Sequence, residues 1–299
     1  MTTIRVSEIF SSFQGEGVYT GMPSLWIRLF GCNLRCDGFG QVDPTNPESY
    51  VLPYKTIDVK RYKQMSDLPV FSFGCDSSYS WEAKFKDLVK DYTEQQIVDE
   101  LILMGKRDFG IDLSSRGGSD AWQHPVTHTR SQLCFTGGEP MLQQSAINRI
   151  CRELQDRGIC PPQITIETNA TKLITSLNIR NCTSNLHFSC SPKLYSVSGE
   201  KSVVRYDVLE QYHNECDSGA LKFVHDGSQR AWDELDEVIS HLGYLADDKN
   251  WSFWIMPVGS TLESQDTNFL GSVAMEAMRR GFNISHRVHI SVFGNMIGT

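Results

Sequence analysis

Two cysteines separated by three residues, in Gly31-Cys32-Asn33-Leu34-Arg35-Cys36, follow directly on an apolar run and fall in a polar loop. Thiolates are the usual ligands of iron-sulfur clusters, and three of them leave one iron open to a further ligand. Two thiols at this spacing also fit a reduced pair in a loop, or half of a zinc site. The nine cysteines are an odd number, and disulfides seldom persist in the cytosol, so ligation or burial explains them better. Cys134, Cys151, Cys160, Cys182, Cys190 and Cys216 stand alone in strand-like or helix-like settings and read as core. Arg28 lies inside an apolar run, where a guanidinium needs a partner; a carboxylate suits it bidentately. Gly137-Gly138-Glu139-Pro140 has the form of a strand-to-helix turn with proline at the helix start. His124 and His128 are four apart, but Pro125 argues against a shared helical face, so both read as loop residues. Met275 and Met278 read as helix packing.

The elements that must position these residues alternate. Apolar runs of strand length fall at Leu25-Phe30, Gln132-Thr136, Ile164-Thr168, Leu186-Cys190, Leu221-Val224, Phe253-Met256 and Val288-Val292. Between them come helical patterns. Thr93 with Gln96 makes a capping box before Ile97, Leu101 and Met104. Ile147, Ile150 and Leu154 share a face after Pro140, with Gly158 as the stop. Further helices fit Ala231-Leu242 and Phe269-Arg280. The alternation predicts an α/β fold with a parallel sheet curved into an incomplete barrel, whose ligands gather at the C-terminal strand ends. One domain over 1–299 is expected, with insertions at about 37–74 and 105–130.

A formal charge of −8 and the lack of any Lys/Arg run argue against direct binding of nucleic acid. No stretch approaches the roughly 18 apolar residues that cross a bilayer, and the start lacks a basic segment followed by an apolar one. A cytoplasmic protein is the expectation.

A wider set of residues, taken in order, carries a resemblance. Ser7-Glu8-Ile9-Phe10, Gln14-Gly15-Glu16-Gly17, Gly21-Met22-Pro23-Ser24, Arg28 to Cys36 and Cys75-Asp76-Ser77-Ser78-Tyr79-Ser80-Trp81 resemble the opening of 7-carboxy-7-deazaguanine synthases, the QueE family of radical S-adenosylmethionine enzymes. Thr136-Gly137-Gly138-Glu139-Pro140, Glu167-Thr168-Asn169, Ser191-Pro192-Lys193 and Leu221-Lys222-Phe223-Val224 continue it. The resemblance implies rearrangement of 6-carboxy-5,6,7,8-tetrahydropterin to 7-carboxy-7-deazaguanine with loss of ammonia. It implies a [4Fe-4S] cluster on Cys32, Cys36 and Cys75, and S-adenosylmethionine held by Gly137, Gly138, Glu139, Ser191, Pro192 and Lys193. It implies a pterin held by Phe13, Gln14, Gly15, Arg28, Thr136 and Thr299, with Mg²⁺ on Ser77. An electron donor such as flavodoxin or ferredoxin and a homodimer are further implications.

Departures accompany it. The family loop has two residues between its second and third cysteines, but position 39 is Phe39 and 38 residues separate Cys36 from Cys75. Lengthening a flexible loop that far costs roughly 2.6 kcal/mol of closure entropy, against on the order of 10 kcal/mol available from structural metal binding. Gly74 stands where an aromatic residue would pack on adenine, leaving Phe73 as the expected substitute. Phe293 stands in the expected place of a late histidine that reaches the pterin. Two other readings compete: another radical enzyme such as a glycyl-radical activase, and a noncatalytic iron-sulfur or zinc module. Gln14 to Gly17 with Arg28 argues against the first, and the retained cofactor motifs against the second.

Overall fold

The computed structural model describes residues 3–115, 117–247 and 250–298. In chain order its strands and helices are β1 (Ile4–Phe13), β2 (Pro23–Leu29), α1 (Pro53–Thr56), β3 (Lys90–Tyr92), α2 (Glu94–Asp108), β4 (Gln132–Gly137), α3 (Gln144–Asp156) and β5 (Gln163–Thr168). There follow β6 (Asn185–Cys190), α4 (Tyr195–Ser198), α5 (Tyr206–Glu215), β7 (Ser218–His225), α6 (Gln229–Leu242), β8 (Asn250–Pro257), α7 (Thr267–Arg279), β9 (Asn283–Ile284) and α8 (Val288–Phe293). The sheet runs β3-β1-β2-β4-β5-β6-β7-β8-β9, parallel from β2 to β9, with β1 and β3 antiparallel at one edge. Its edges do not meet, so it is the open form of a barrel.

Strand alternation separates two chemistries. Leu25, Ile27, Leu29, Leu133, Phe135, Ile164, Ile166, Phe188, Leu221 and Phe223 are buried in the main apolar core. Their neighbours, among them Ser24, Arg28, Gln132, Thr136, Thr165, Glu167, His187 and Lys222, turn to the other face, because successive side chains of a strand point to opposite sides. Near the N-terminal ends of β2 and β4 to β7, that face closes with a hydrogen-bonded floor. Gln132 donates to Ser24 at 2.9 Å, Gln163 and Thr165 both donate to Gln132, and Asn185 donates to Gln163 at 3.1 Å. His187 Nδ1 meets Ser218 Oγ at 2.8 Å.

The helices form as their signals require. Thr93 caps α2 and the reciprocal Gln96 side chain reaches the Thr93 N–H, as the sequence predicts. α3 buries Ile147, Ile150 and Leu154, and Gly158 follows it with φ +68°. Three features depart from expectation. Val288-Val292, expected as a strand, is the helix α8: five residues of alternating apolar type carry no period long enough to decide between the two. β1 is absent from the expected strands because two of its inward positions, Glu8 and Ser12, flank Phe10 with polar side chains and its register shifts between Val6 and Glu8. Residues 105–130, expected as a long loop, include the last turn of α2 and send Ile111, Leu113 and Trp122 into the main core, where Trp122 Nε1 donates to the Ile159 carbonyl at 2.8 Å.

Residues 37–74 fold around their own apolar centre. Tyr54, Met65, Leu68 and Phe71 bury one another with Tyr79 and Phe85. Gln41 bridges the Asp37 and Val51 carbonyls, and Gly74 N–H donates to the Phe39 carbonyl at 2.8 Å, closing the segment at its base. The two cysteines that flank it are thereby brought together.

Candidate active site

A cavity of about 250 Å³ opens at the C-terminal ends of the parallel strands. Phe13, Gln14, Gly15, Arg28, Cys32, Cys36, Cys75, Ser77, Thr136, Gly137, Gly138, Ser191 and Lys193 all line it, although they are drawn from positions as far apart as 13 and 193. Glu139 and Pro192 do not, and Thr299 lies outside the described residues.

The cysteines stand at one side. Arg35 N and Cys36 N both donate to Glu200 Oε1 at 2.7 Å, fixing the turn in which Cys36 adopts φ +53°, a left-handed conformation rare for a side-chain-bearing residue. Nothing in the sequence reading singled out Glu200. Asn169 Nδ2 lies 3.8 Å from Cys32 Sγ. Burial pushes the Cys75 thiol up to about 12, helped by Asp76, and raises Cys36 well above the usual thiol range and Cys32 above it. Three cysteines facing one cavity are the donor set that a cluster would take, with one iron left open. Among the described residues no three His, Cys, Asp or Glu converge on a single ion. A cubane asks something different, since each thiolate binds a different iron.

Gly137 and Gly138 serve a closer contact than the one expected. Gly137 has φ +143°, and a Cβ there would strike the Leu29 backbone; at Gly138 it would strike the Gly31 carbonyl and Cys32 Cβ. The two glycines therefore let β4 end tightly against the cysteine loop. Glu139, which the resemblance assigns to S-adenosylmethionine, is fully buried. Its oxygens accept from Met141 N, Thr168 Oγ1 and Asn169 N at 2.7–2.9 Å, tying β4 to β5 at the start of the helical turn after Pro140. Lys193 Nζ donates to Ser191 Oγ at 2.8 Å and lies 5.7 Å from the Phe39 ring. Phe39 and Trp81 line the cavity, whereas Phe73, the expected adenine-packing residue, does not.

The far wall is charged. Arg28 Nε donates to Glu8 Oε2 at 3.0 Å, and the guanidinium lies between the rings of Phe10 and Tyr79. Arg28 stands beside Thr136 in the β2–β4 register. Lys222 Nζ is 2.8 Å from Glu16 Oε2 and 3.6 Å from Glu167 Oε1, and Gln14 Nε2 and Thr136 Oγ1 both donate to Glu167. Arg287 joins Glu16 to Asp76. Burial alone would raise Glu16, but Lys222 and Arg287 outweigh it and hold the carboxyl far below its ordinary range.

Phe293, in the expected place of the late histidine, packs on Phe13 with ring centroids 5.4 Å apart. His289, from α8, lines the cavity and presses on Gly15 so closely that a Cβ there would overlap its ring. Val288 N–H donates to the Gly15 carbonyl at 3.0 Å, locking α8 to that loop. Burial lowers the His289 pKa and favours the neutral ring. Arg287 and His289 are not evident from the sequence, whose alternation at Val288-Val292 suits a strand; the His-X-X-His spacing of His286 and His289 is the signal it offers.

No family model matches the chain. It is 26% identical over its whole length to the 7-carboxy-7-deazaguanine synthase of Rhodopirellula baltica, covering 90% of that protein. It is 24% identical to that of Pyrobaculum aerophilum, with 99% of this chain and 97% of the relative covered. The crystal structure of QueE from Escherichia coli superposes with a TM-score of 0.54 over 96% of this chain and 95% of that one, at 21% identity, which is a likeness of fold. End-to-end similarity of sequence makes 7-carboxy-7-deazaguanine synthases relatives of this chain, and the likeness to QueE is one of fold.

Proposed function

We propose that the chain is a 7-carboxy-7-deazaguanine synthase, rearranging 6-carboxy-5,6,7,8-tetrahydropterin with loss of ammonia in the deazapurine route. The observation that carries this reading is the convergence, in one cavity, of three cysteines and a partly satisfied arginine. Cys32, Cys36 and Cys75 would hold a [4Fe-4S] cluster, with Lys193, Ser191 and the Gly137-Gly138 backbone beside S-adenosylmethionine. When bound, the reduced cluster and S-adenosylmethionine supply a carbon-centred radical. The chain's own residues bind and orient. Arg28 would offer its terminal nitrogens to the pterin carboxylate, Gln14 and Thr136 hold Glu167 in place in the cavity wall, and Phe13, which lines the cavity, is backed by Phe293. His289 stands ready, as a neutral imidazole, to take or donate a hydrogen bond at the substrate edge.

The donors near Ser77 do not fit a divalent ion. The one carboxylate beside that hydroxyl, Asp76, accepts from Ser77 Oγ on one oxygen and from Arg287 on the other. A flavodoxin or ferredoxin as donor, a homodimer and a cytoplasmic location complete the proposal; no helix among the described residues is long and apolar enough to cross a membrane.

Anaerobic reconstitution followed by product analysis tests the reading. Wild-type protein should release 7-carboxy-7-deazaguanine and ammonia, and Cys75→Ala should lose most cluster iron. Cleavage of S-adenosylmethionine without that product would reject the substrate, and a full cluster in Cys75→Ala would reject the third ligand.

A further inference from the structure

Resting on the reading just given, we infer that Arg287 takes the electrostatic place of the divalent cation expected at Ser77, so that this chain turns over without Mg²⁺. Arg287 precedes α8 and is held from three sides. Its Nε donates to Glu16 Oε1 at 3.1 Å, Nη1 to the Gly259 carbonyl at 2.6 Å, and Nη2 to Asp76 Oδ2. Only about a tenth of its side chain is exposed, so the charge is fixed in position. A guanidinium is permanently cationic and presents its donors in a rigid fork, which makes it a directional substitute for a metal charge.

The surroundings of Ser77 suit that substitute better than the ion. Mg²⁺ requires six oxygens in near-octahedral array and sheds water reluctantly, so it relies on free carboxylates and substrate oxygens. Ser77 contributes one neutral hydroxyl, and the adjacent Asp76 has both oxygens committed. A dication placed there would also face the Arg287 charge. Three carboxylates of this wall, Glu16, Asp76 and Glu167, are already paired among Lys222 and Arg287. Taking Arg287 away would leave Asp76 without a cationic partner and make the same place attractive to a metal.

The test uses metal-free, anaerobically reconstituted protein loaded with S-adenosylmethionine. Turnover and the calorimetric affinity for 6-carboxytetrahydropterin are measured in chelator and in Mg²⁺, and Mn²⁺ serves as a paramagnetic probe of ion binding. Wild-type protein should show equal turnover and affinity in both buffers and no Mn²⁺ signal that depends on Ser77. Arg287→Gln should lose about tenfold or more in pterin affinity and regain it with Mg²⁺. A wild-type protein that needs Mg²⁺, or that binds Mn²⁺ in a manner abolished by Ser77→Ala, overturns the inference; so does a well-folded Arg287→Gln protein that Mg²⁺ does not rescue. Should a melting curve show Arg287→Gln to be unfolded, the wild-type measurements decide alone. Failure of the substrate reading looks different, with no deazaguanine product in either buffer while a Ser77-dependent Mn²⁺ signal remains absent.

Discussion

Arg28 serves the fold through one nitrogen and is free to serve a ligand through others, since Glu8 engages Nε alone among the described contacts. Removing one partner of a buried pair commonly costs about 3–5 kcal/mol, roughly 10²- to 10³-fold or more in affinity where the partner is a ligand. Arg28→Ala should therefore abolish tight pterin binding with the cluster spectrum and S-adenosylmethionine affinity nearly intact. It also strands Glu8, so its melting point should fall, and adding Glu8→Gln should restore stability without restoring affinity. Calorimetry on both variants checks this; pterin affinity unchanged in a folded Arg28→Ala protein would remove the carboxylate role. At this scale residue type marked out Cys32 and Cys36 in their loop and an arginine inside a strand, all of which line one cavity, whereas Cys75 came only with the family resemblance. Less legible was the structural part that Glu139 also plays, accepting from Met141 N, Thr168 Oγ1 and Asn169 N.

The β4 terminus and the cysteine loop meet across the glycine pair, which transmits the position of one element to the other. A methyl group at Gly138 must displace the Gly31 carbonyl or Cys32, because backbone cannot yield as a flexible side chain can. Gly138→Ala should consequently lower the iron bound after reconstitution although every cysteine remains. Iron and sulfide analysis beside a melting curve tests the point, and a full cluster would show that the loop can move. Elements with long periods and clear caps, such as α2 and α3, were legible. α8 was not, and with its misassignment went the two residues, Arg287 and His289, that it delivers to the cavity.

For the molecule as a whole, the parallel sheet was readable from its helix-facing side, where apolar runs are continuous; the opposite side gave little signal because its residues are polar yet buried. Two buried histidines, His187 on that inner face and His225 against Trp232 on the helix-facing side, have a pH consequence. Burial, with Lys222 nearby, lowers His187 to about 3, and burial lowers His225, whose Nδ1 accepts from Gly227 N, to about 4. An unfolded histidine titrates near 6.5, so between these values the unfolded chain binds more protons than the native one. Their stabilising effect is complete above about pH 6.5 and declines as pH falls toward 4, by about 2 kcal/mol for each at pH 5. The urea midpoint should thus drop between pH 7 and 5, and His187→Gln should flatten that dependence; an identical midpoint at both pH values would count against it.

The floor of Ser24, Gln132, Gln163, Thr165 and Asn185 has another effect, on which arrangements the chain rejects. These amides and hydroxyls match one another only when β2, β4, β5 and β6 stand in their observed registers. A strand displaced by one residue would turn its amide toward the helices and bring an aliphatic side chain to the floor, leaving buried groups unpaired at about 1–3 kcal/mol each. An apolar floor would tolerate such slips much more readily. The inner face thus acts as a proofreading surface for strand alignment, and it secures, from the opposite end of the sheet, the spacing at which Arg28, Thr136 and Glu167 arrive at the cavity.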